Sequence, residues 1–338
     1  MTAEPPYYRS ISVVVPAYNE QEVLPEFHRR TTAVLKTLGL AYEIVYVNDG
    51  SSDETLATLR ELRSKDIAVT IVDLSRNFGK EVAMSAGLNA SHGDAVVVID
   101  ADLQDPPELI IEMVAGWKEG FDTVYAVRTV RDGESWIKRA TAHGFYRVMQ
   151  SLSRVKIPAD TGDFRLLSRR SVEALCRLGE HHRFMKGLFA WIGFPQKAIP
   201  YRRDARAAGT TKFNYRKLWN FAIEGFTSFT LAPLKAATYF GLLVGLLAFV
   251  YAIVVIYKTM LHGDPVQGYP STMVVMLFLG GVQLVSIGIL GEYIGRMFNE
   301  VKHRPLYLLN SLEPSNLSSL PSGALTRSKS TEASAGLT

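Results

Sequence analysis

Five short runs of β-branched and apolar residues, each followed by a longer stretch of helical character, constrain this chain more than any other feature. They are Ile11 to Val15, Tyr42 to Val47, Ala68 to Leu74, Ala95 to Ile99 and Asp122 to Val127. Within each run the apolar residues follow one another with little alternation, so both faces of the strand need cover. Such strands alternating with helices predict an α/β domain over residues 1–205, with a mostly parallel sheet wrapped by helices. Polar residues collect at the C-terminal ends of the runs, the edge at which open α/β sheets bind ligands.

The character of the chain then changes. Residues 206–234 mix cations (Arg206, Lys212, Arg216, Lys217) with aromatics (Phe213, Tyr215, Trp219, Phe221, Phe226, Phe229), the composition of a basic loop and helices lying in a membrane interface. Two apolar runs follow, Ala236 to Tyr257 and Ser271 to Ile294, each about the ~20 residues that a spanning helix needs. Gly263, Asp264, Pro265, Gly268 and Pro270 break the chain between them, so residues 235–296 read as a transmembrane hairpin. The alternative is a pair of buried helices in a soluble core; the length of the runs and the charge around them weigh against it. Lys and Arg crowd both flanks, which places the α/β domain and both termini on the cytoplasmic side of a cell inner membrane crossed twice. Residues 297–338 form a last cytoplasmic segment, Ser-rich and free of aromatics from Ser311 onward, where disorder is expected. No secretory signal precedes the first strand. The single cysteine, Cys176, rules out an intrachain disulfide, suits a reducing compartment and is read as a small buried hydrophobe. A net charge of +4 permits an anionic partner without selecting one.

Three polar segments end apolar strands. The first is Pro16-Ala17-Tyr18-Asn19-Glu20 and the second Asn48-Asp49-Gly50-Ser51-Ser52-Asp53. Asp49 is placed to accept hydrogen bonds from a ribose or a base edge, whereas Asp53 reads better as a cap of the next helix. The third, Asp100-Ala101-Asp102-Leu103-Gln104-Asp105, sets two carboxylates and an amide at every second position, on one side of an extended segment. Hard oxygen donors of this kind suit Mg²⁺ or Mn²⁺, with a nucleotide diphosphate as the remaining ligand. An isolated Asp-x-Asp is a weak signal, and its place at the end of a buried strand raises it.

In order and spacing these three segments resemble the family 2 glycosyltransferases with a GT-A fold. Arg76-Asn77-Phe78-Gly79-Lys80-Glu81, Thr161-Gly162-Asp163-Phe164-Arg165 and Gly291-Glu292-Tyr293-Ile294-Gly295-Arg296 further resemble the polyprenyl-phosphate glycosyltransferases, the bactoprenol glucosyl branch above all. The resemblance runs from Ile11 to Leu308. It implies a nucleotide-diphosphate sugar, UDP-glucose by preference, as donor and a polyprenyl phosphate such as undecaprenyl phosphate as acceptor. The product would be a β-linked lipid phosphate sugar for cell-envelope glycosylation.

By the same resemblance, Pro16, Tyr18, Glu20, Asp49 and Asp100 bind the nucleotide sugar, and Asp100, Asp102 and Gln104 hold the Mg²⁺ or Mn²⁺. Asp102 and Asp163 are the catalytic pair, Asp163 as the base or as the group that orients the acceptor. Arg128 and Arg139 match arginines that grip the acceptor phosphate; ordinary surface cations are the competing reading. His143 stands where some relatives carry a serine. Arg206 and Lys212 match a mobile basic loop that closes over the site. Relatives of this type suggest a homotetramer.

Other classes leave other marks. A non-catalytic nucleotide-sugar binder would lose its metal motif, and Asp100, Asp102, Gln104 and Asp163 are all present. A processive polysaccharide synthase carries a Gln-x-x-Arg-Trp segment, which this sequence lacks. No G-x-G-x-x-G follows the first strand and no P-loop occurs, which argues against dinucleotide oxidoreductases and P-loop enzymes. Nothing points to nucleic acid.

Overall fold

The computed structural model describes residues 8–128, 161–181, 183–201, 232–262 and 268–315. Its core is an eight-stranded sheet. Strands β1 (Ser10–Ala17), β2 (Ala41–Asn48), β3 (Val69–Leu74), β4 (Ala95–Val98) and β5 (Thr123–Arg128) match the five apolar runs to within two residues. Between the first four lie α1 (Leu24–Thr37), α2 (Thr55–Lys65) and α3 (Lys80–Ala90), and a 3₁₀ turn with α4 (Ile110–Lys118) leads into β5. Strand β6 (Thr161–Ser168), α5 (Arg169–Cys176), α6 (Met185–Trp191) and β7 (Gln196–Tyr201) complete the region. Along the sheet the order is β7-β5-β6-β4-β1-β2-β3-β8. β6 runs antiparallel to both β4 and β5, and β8 (Leu309–Glu313) antiparallel to β3; the remaining pairings are parallel.

Strict period-2 alternation divides the sheet's apolar residues between two cores. Ile11, Val13, Val15, Ile44, Tyr46 and Val97 pack into the layer that holds Phe27 and Leu35 of α1 and Met113 of α4. Val14, Val45, Val47, Val96 and Val98 face the opposite layer, which holds Met84 and Leu88 of α3. Continuous apolar runs are thus what a strand covered on both faces requires. Each fully buried Val or Leu contributes roughly 1.5–3 kcal/mol. α1 buries Leu24, Phe27, Thr31, Val34 and Leu35, one stripe of a helical repeat. α3 lies against β1 so closely that a Cβ on Gly87 would stand 2.3 Å from Val14 Cγ1. This contact fixes the N-terminus of α3 over the carboxyl edge of the sheet.

Two long helices follow, α7 (Ala232–His262) and α8 (Tyr269–Val301). Within α8, Phe278–Val301 is long and apolar enough to cross a bilayer, with a mean hydropathy of 1.4. In α7 the apolar stretch is shorter, Ala237–Tyr251, so among the described residues one helix meets the length of a span where the sequence predicts two. Both helices present large apolar side chains outward, among them Leu242, Phe249, Leu284 and Ile287.

After α8 the chain returns to the eight-stranded sheet. The disorder expected from Ser311 onward does not hold for Ser311 to Glu313, which lie in β8 and pair with β3. Ser75 N donates to Leu308 O, and Arg60 forms an ion pair with Glu313 at 2.9 Å. A five-residue polar edge strand has too little apolar pattern to announce itself in a Ser-rich tail.

Candidate active site

β1 sits between β4 and β2, where the strand order reverses, so a crevice opens beyond the carboxyl ends of β1 and β4. The predicted segments meet around it. Asn19 has φ 55° and ties the first two loops together: its N–H donates to Ser51 Oγ at 3.1 Å, and its Oδ1 accepts from Ser52 N at 2.9 Å. Pro16 ends β1, Tyr18 is 42% exposed in the following turn, and Glu20 donates its N–H to Thr55 Oγ1. Asp53 Oδ1 accepts from Thr55 N at 3.1 Å, an aspartate turn leading into α2; the capping position itself is Glu54, which makes no side-chain cap bond, so the cap read from the sequence at Asp53 falls one residue early.

Asp49 is nearly fully buried, and its two carboxylate oxygens accept from Phe78 N at 2.7 Å and Gly79 N at 2.9 Å. Burial raises its pKa, against the pull of those two bonds. In this structure it fastens the loop before α3. The neighbouring Gly50 has φ +61°, and a Cβ there would fall 2.3 Å from the carbonyl carbon of Arg76.

The segment Asp100 to Gln104 is a turn, where the sequence suggests extended chain; β4 stops at Val98. Two local features bend it. Asp102 Oδ1 accepts from Gln104 N at 3.1 Å, the two-residue-on bond by which aspartate makes its own turn, and Leu103 adopts φ 58° with its side chain buried in the core. Asp100, Asp102 and Gln104 therefore share a turn instead of alternating along a strand. Among the described residues no three His, Cys, Asp or Glu side chains form a ready-made cation cage. The donor set still fits Mg²⁺ or Mn²⁺, which take one or two carboxylates and complete their shell with substrate phosphates.

Asp163 enters from β6. It stands two residues before Arg165, the partner of Val98 at the last paired position of β4, which brings it near Asp100 beyond the end of that strand. Lys80, the first residue of α3, bridges them. Its Nζ lies 2.7 Å from Asp100 Oδ1 and 2.5 Å from Asp163 Oδ2. Burial opposes the charged ammonium, yet the two carboxylates outweigh it and hold the Lys80 pKa above its usual value. Asp163 is likewise held down to about 2: burial works the other way, and Lys80 and Lys186 overcome it. Asp163 Oδ1 is buried and finds no hydrogen-bond partner among the described residues.

Around this trio lie groups that sequence reasoning leaves without a role. Glu81 Oε2 accepts from Met185 N at 2.9 Å, and burial together with Asp163 pushes its pKa up to about 7. Burial lowers the pKa of Lys186. Arg165 stacks 3.8 Å over Phe189 and donates to Gly162 O, and burial brings its pKa down to about 10. Arg128, at the end of β5, donates to Tyr201 OH at 3.4 Å, and Tyr201 OH in turn donates to buried Asp105. One signal for Lys80 was available: a cation in the first turn of a helix opposes the helix dipole and needs a compensating anion. Arg139, Arg206 and Lys212, and with them the closing basic loop and His143, lie outside the described residues.

The sequence pattern of Glycosyl transferase family 2 matches residues 12–176, and that of the GtrB C-terminal hairpin matches residues 232–297. The chain is 52% identical to an uncharacterized glycosyltransferase of Synechocystis, over 89% of this chain and 95% of the relative. It is 46% identical to the bactoprenol glucosyl transferase of Shigella phage SfV, over 89% and 98% respectively. Among solved structures, glucosyl-3-phosphoglycerate synthase from Mycobacterium tuberculosis, in complex with Mn²⁺, UDP-glucose and phosphoglyceric acid, aligns at 22% identity with a TM-score of 0.45, covering 65% of this chain and 78% of that one. With a carboxyl-edge site on an α/β sheet and relatives of this identity along nearly its whole length, the chain belongs to the family 2 glycosyltransferases.

Proposed function

We propose that this glycosyltransferase moves glucose from UDP-glucose to the phosphate of a polyprenyl lipid at the cytoplasmic face of a membrane, with inversion. The observation that carries the reading is the layout of the sheet. β4 and β6 present Asp100 and Asp163, and β8, reached only after α7 and α8, closes the far edge of the same sheet. A chain that leaves and re-enters one folded domain crosses a bilayer an even number of times, which favours a two-span hairpin although α7 carries the shorter apolar stretch. The outward apolar side chains of both helices and the match to the hairpin family over residues 232–297 support the same arrangement. Relatives named bactoprenol glucosyl transferase support the lipid acceptor and the glucosyl donor.

The site's chemistry follows from its charges. A lipid phosphate, whose second pKa is near ~6, is largely dianionic at neutral pH and needs little deprotonation. Asp163, a carboxylate at that pH, therefore serves to orient the acceptor, with Oδ2 held by Lys80 and Oδ1 buried without a hydrogen-bond partner among the described residues. A divalent cation held by Asp100, Asp102 and Gln104 would neutralise charge developing on the leaving diphosphate. Arg128 and Arg139 offer planar guanidinium groups to the acceptor phosphate, and Arg206 and Lys212 close over the donor. Pro16, Tyr18, Glu20 and Asp49 line the nucleotide side. Attack opposite the leaving group turns an α-linked donor into a β-linked product.

The test is transfer of label from a panel of UDP- and GDP-sugars into polyprenyl phosphate by detergent-purified protein with Mg²⁺ or Mn²⁺. Transfer from UDP-glucose that is lost with chelator and in Asp102→Ala is expected. Binding of nucleotide sugar without any transfer would sink the reading.

A further inference from the structure

We propose that Asn310, on the strand that follows the membrane helices, is a positioning residue for the nucleotide sugar. The inference rests on the donor site proposed above and deepens it. Asn310 Nδ2 donates to Asp73 Oδ2 at 2.7 Å, and Asn48 Nδ2 donates to Asp73 Oδ1, also at 2.7 Å. Asn48 Oδ1 accepts from Ser51 N at 3.3 Å, and Ser51 Oγ accepts from Asn19 N. The relay runs from β8 through the ends of β3 and β2 into the turns that carry Asp49, Gly50 and Tyr18. Its two central members, Asp73 and Asn48, are 3% and 2% exposed. A buried carboxylate stripped of one of its two side-chain donors must recover a partner or lose its full solvation, and the adjustable neighbour is Asn48. Asn48 would then turn from Ser51 and release the loop that shapes the nucleotide pocket. Other ties of this segment, among them Ser75 N to Leu308 O, Ser315 N to Thr70 Oγ1 and the Arg60–Glu313 ion pair, dock β8 without entering the relay.

The experiment measures UDP binding by calorimetry, and steady-state kinetics, for Asn310→Ala, Asn310→Gln and Thr70→Val in the full-length, detergent-solubilised protein. Asn310→Ala is expected to weaken UDP binding and raise the donor KM about tenfold, with kcat and the acceptor KM held within about twofold. Asn310→Gln, which keeps the amide donor, recovers most of the loss. Thr70→Val, which loosens the docked strand elsewhere, lowers Tm and leaves UDP binding as it was. Unchanged UDP binding in Asn310→Ala, or an equal loss in Thr70→Val, would overturn the inference and leave the donor site standing. Wild-type protein that binds no UDP would remove the site on which both rest.

Discussion

Lys80 Nζ stands 2.5 Å from Asp163 Oδ2, while Oδ1 of the same carboxylate is buried without a hydrogen-bond partner among the described residues. One half of Asp163 is committed to the Lys80 cation and the other half is buried. Replacing the ammonium removes the fixed half and the charge that steadies it.

Lys80→Met is therefore expected to lower kcat by about 10²-fold, the scale on which preorganised charge acts in a site. Without the cation Asp163 binds its proton more readily, so the acid limb of the kcat/KM profile moves to higher pH. Lys80→Arg keeps the charge and should hold the limb closer to the wild-type position. Equal acid limbs in all three proteins would mean that Lys80 does not set the state of Asp163.

Gly50→Ala tests the backbone of the turn after β2, which the proposed function assigns to the nucleotide. The position needs φ +61°, and the added methyl would meet Arg76 C at 2.3 Å and Asn77 N at 2.4 Å, backbone atoms that cannot swing aside. Strain and overpacking each cost of the order of 1–3 kcal/mol, so a loss of about 3 kcal/mol is expected, seen as a drop in Tm together with a higher donor KM. A variant as stable as wild type would show that the loop from Arg76 to Gly79 yields easily.

The parallel core, and with it the polar turns at its carboxyl edge, is legible because hydrophobic burial writes itself into consecutive residues: Val13 to Val15 and Val96 to Val98 need cover on both faces and say so. The turn from Asp100 to Gln104 was not, since its bend depends on Leu103 taking a left-handed conformation that leucine adopts only when the surrounding core holds it. The motif marks Asp163, but its nearness to Asp100 depends on the pairing of β6 with β4, segments far apart in sequence, and on the Lys80 bridge between them. β8 was missed for a related reason. Its anchors, Asp73, Arg60 and Thr70, all lie in the first third of the chain, and nothing local in Leu309 to Glu313 records them.

Glu81 should give the folded protein a pH signature. Its ordinary pKa is 4.5 and burial raises it to about 7. Between those values the folded protein keeps a proton that the unfolded chain releases, so stability falls as pH rises through the window. Asp163, held below its usual range, acts in the opposite sense only below about pH 4. Glu81→Gln, which can still accept from Met185 N, removes the slope. Tm measured from pH 4.5 to 7.5 should fall more steeply for wild type than for the variant; parallel curves would show that Glu81 is ionised throughout.

The turn carboxylates and Lys80 make opposite predictions for metal affinity. Asp100 already faces an ammonium at 2.7 Å, so a divalent cation approaching the turn meets a like charge, and the two positive groups compete for one carboxylate. Asp102 lies two residues further round the turn, outside the Lys80 bridge, and would supply the second carboxylate of a set that has few to spare. Mn²⁺ binding, followed by electron paramagnetic resonance with UDP present, should weaken at least about 100-fold in Asp102→Ala and tighten in Lys80→Met, even though both variants lose turnover. Activity alone cannot separate the two, because each removes charge from the same crevice. Opposite shifts in affinity would assign Asp102 to the metal and Lys80 to the carboxylates it bridges, whereas weakening in both would place Lys80 among the groups that organise the metal turn.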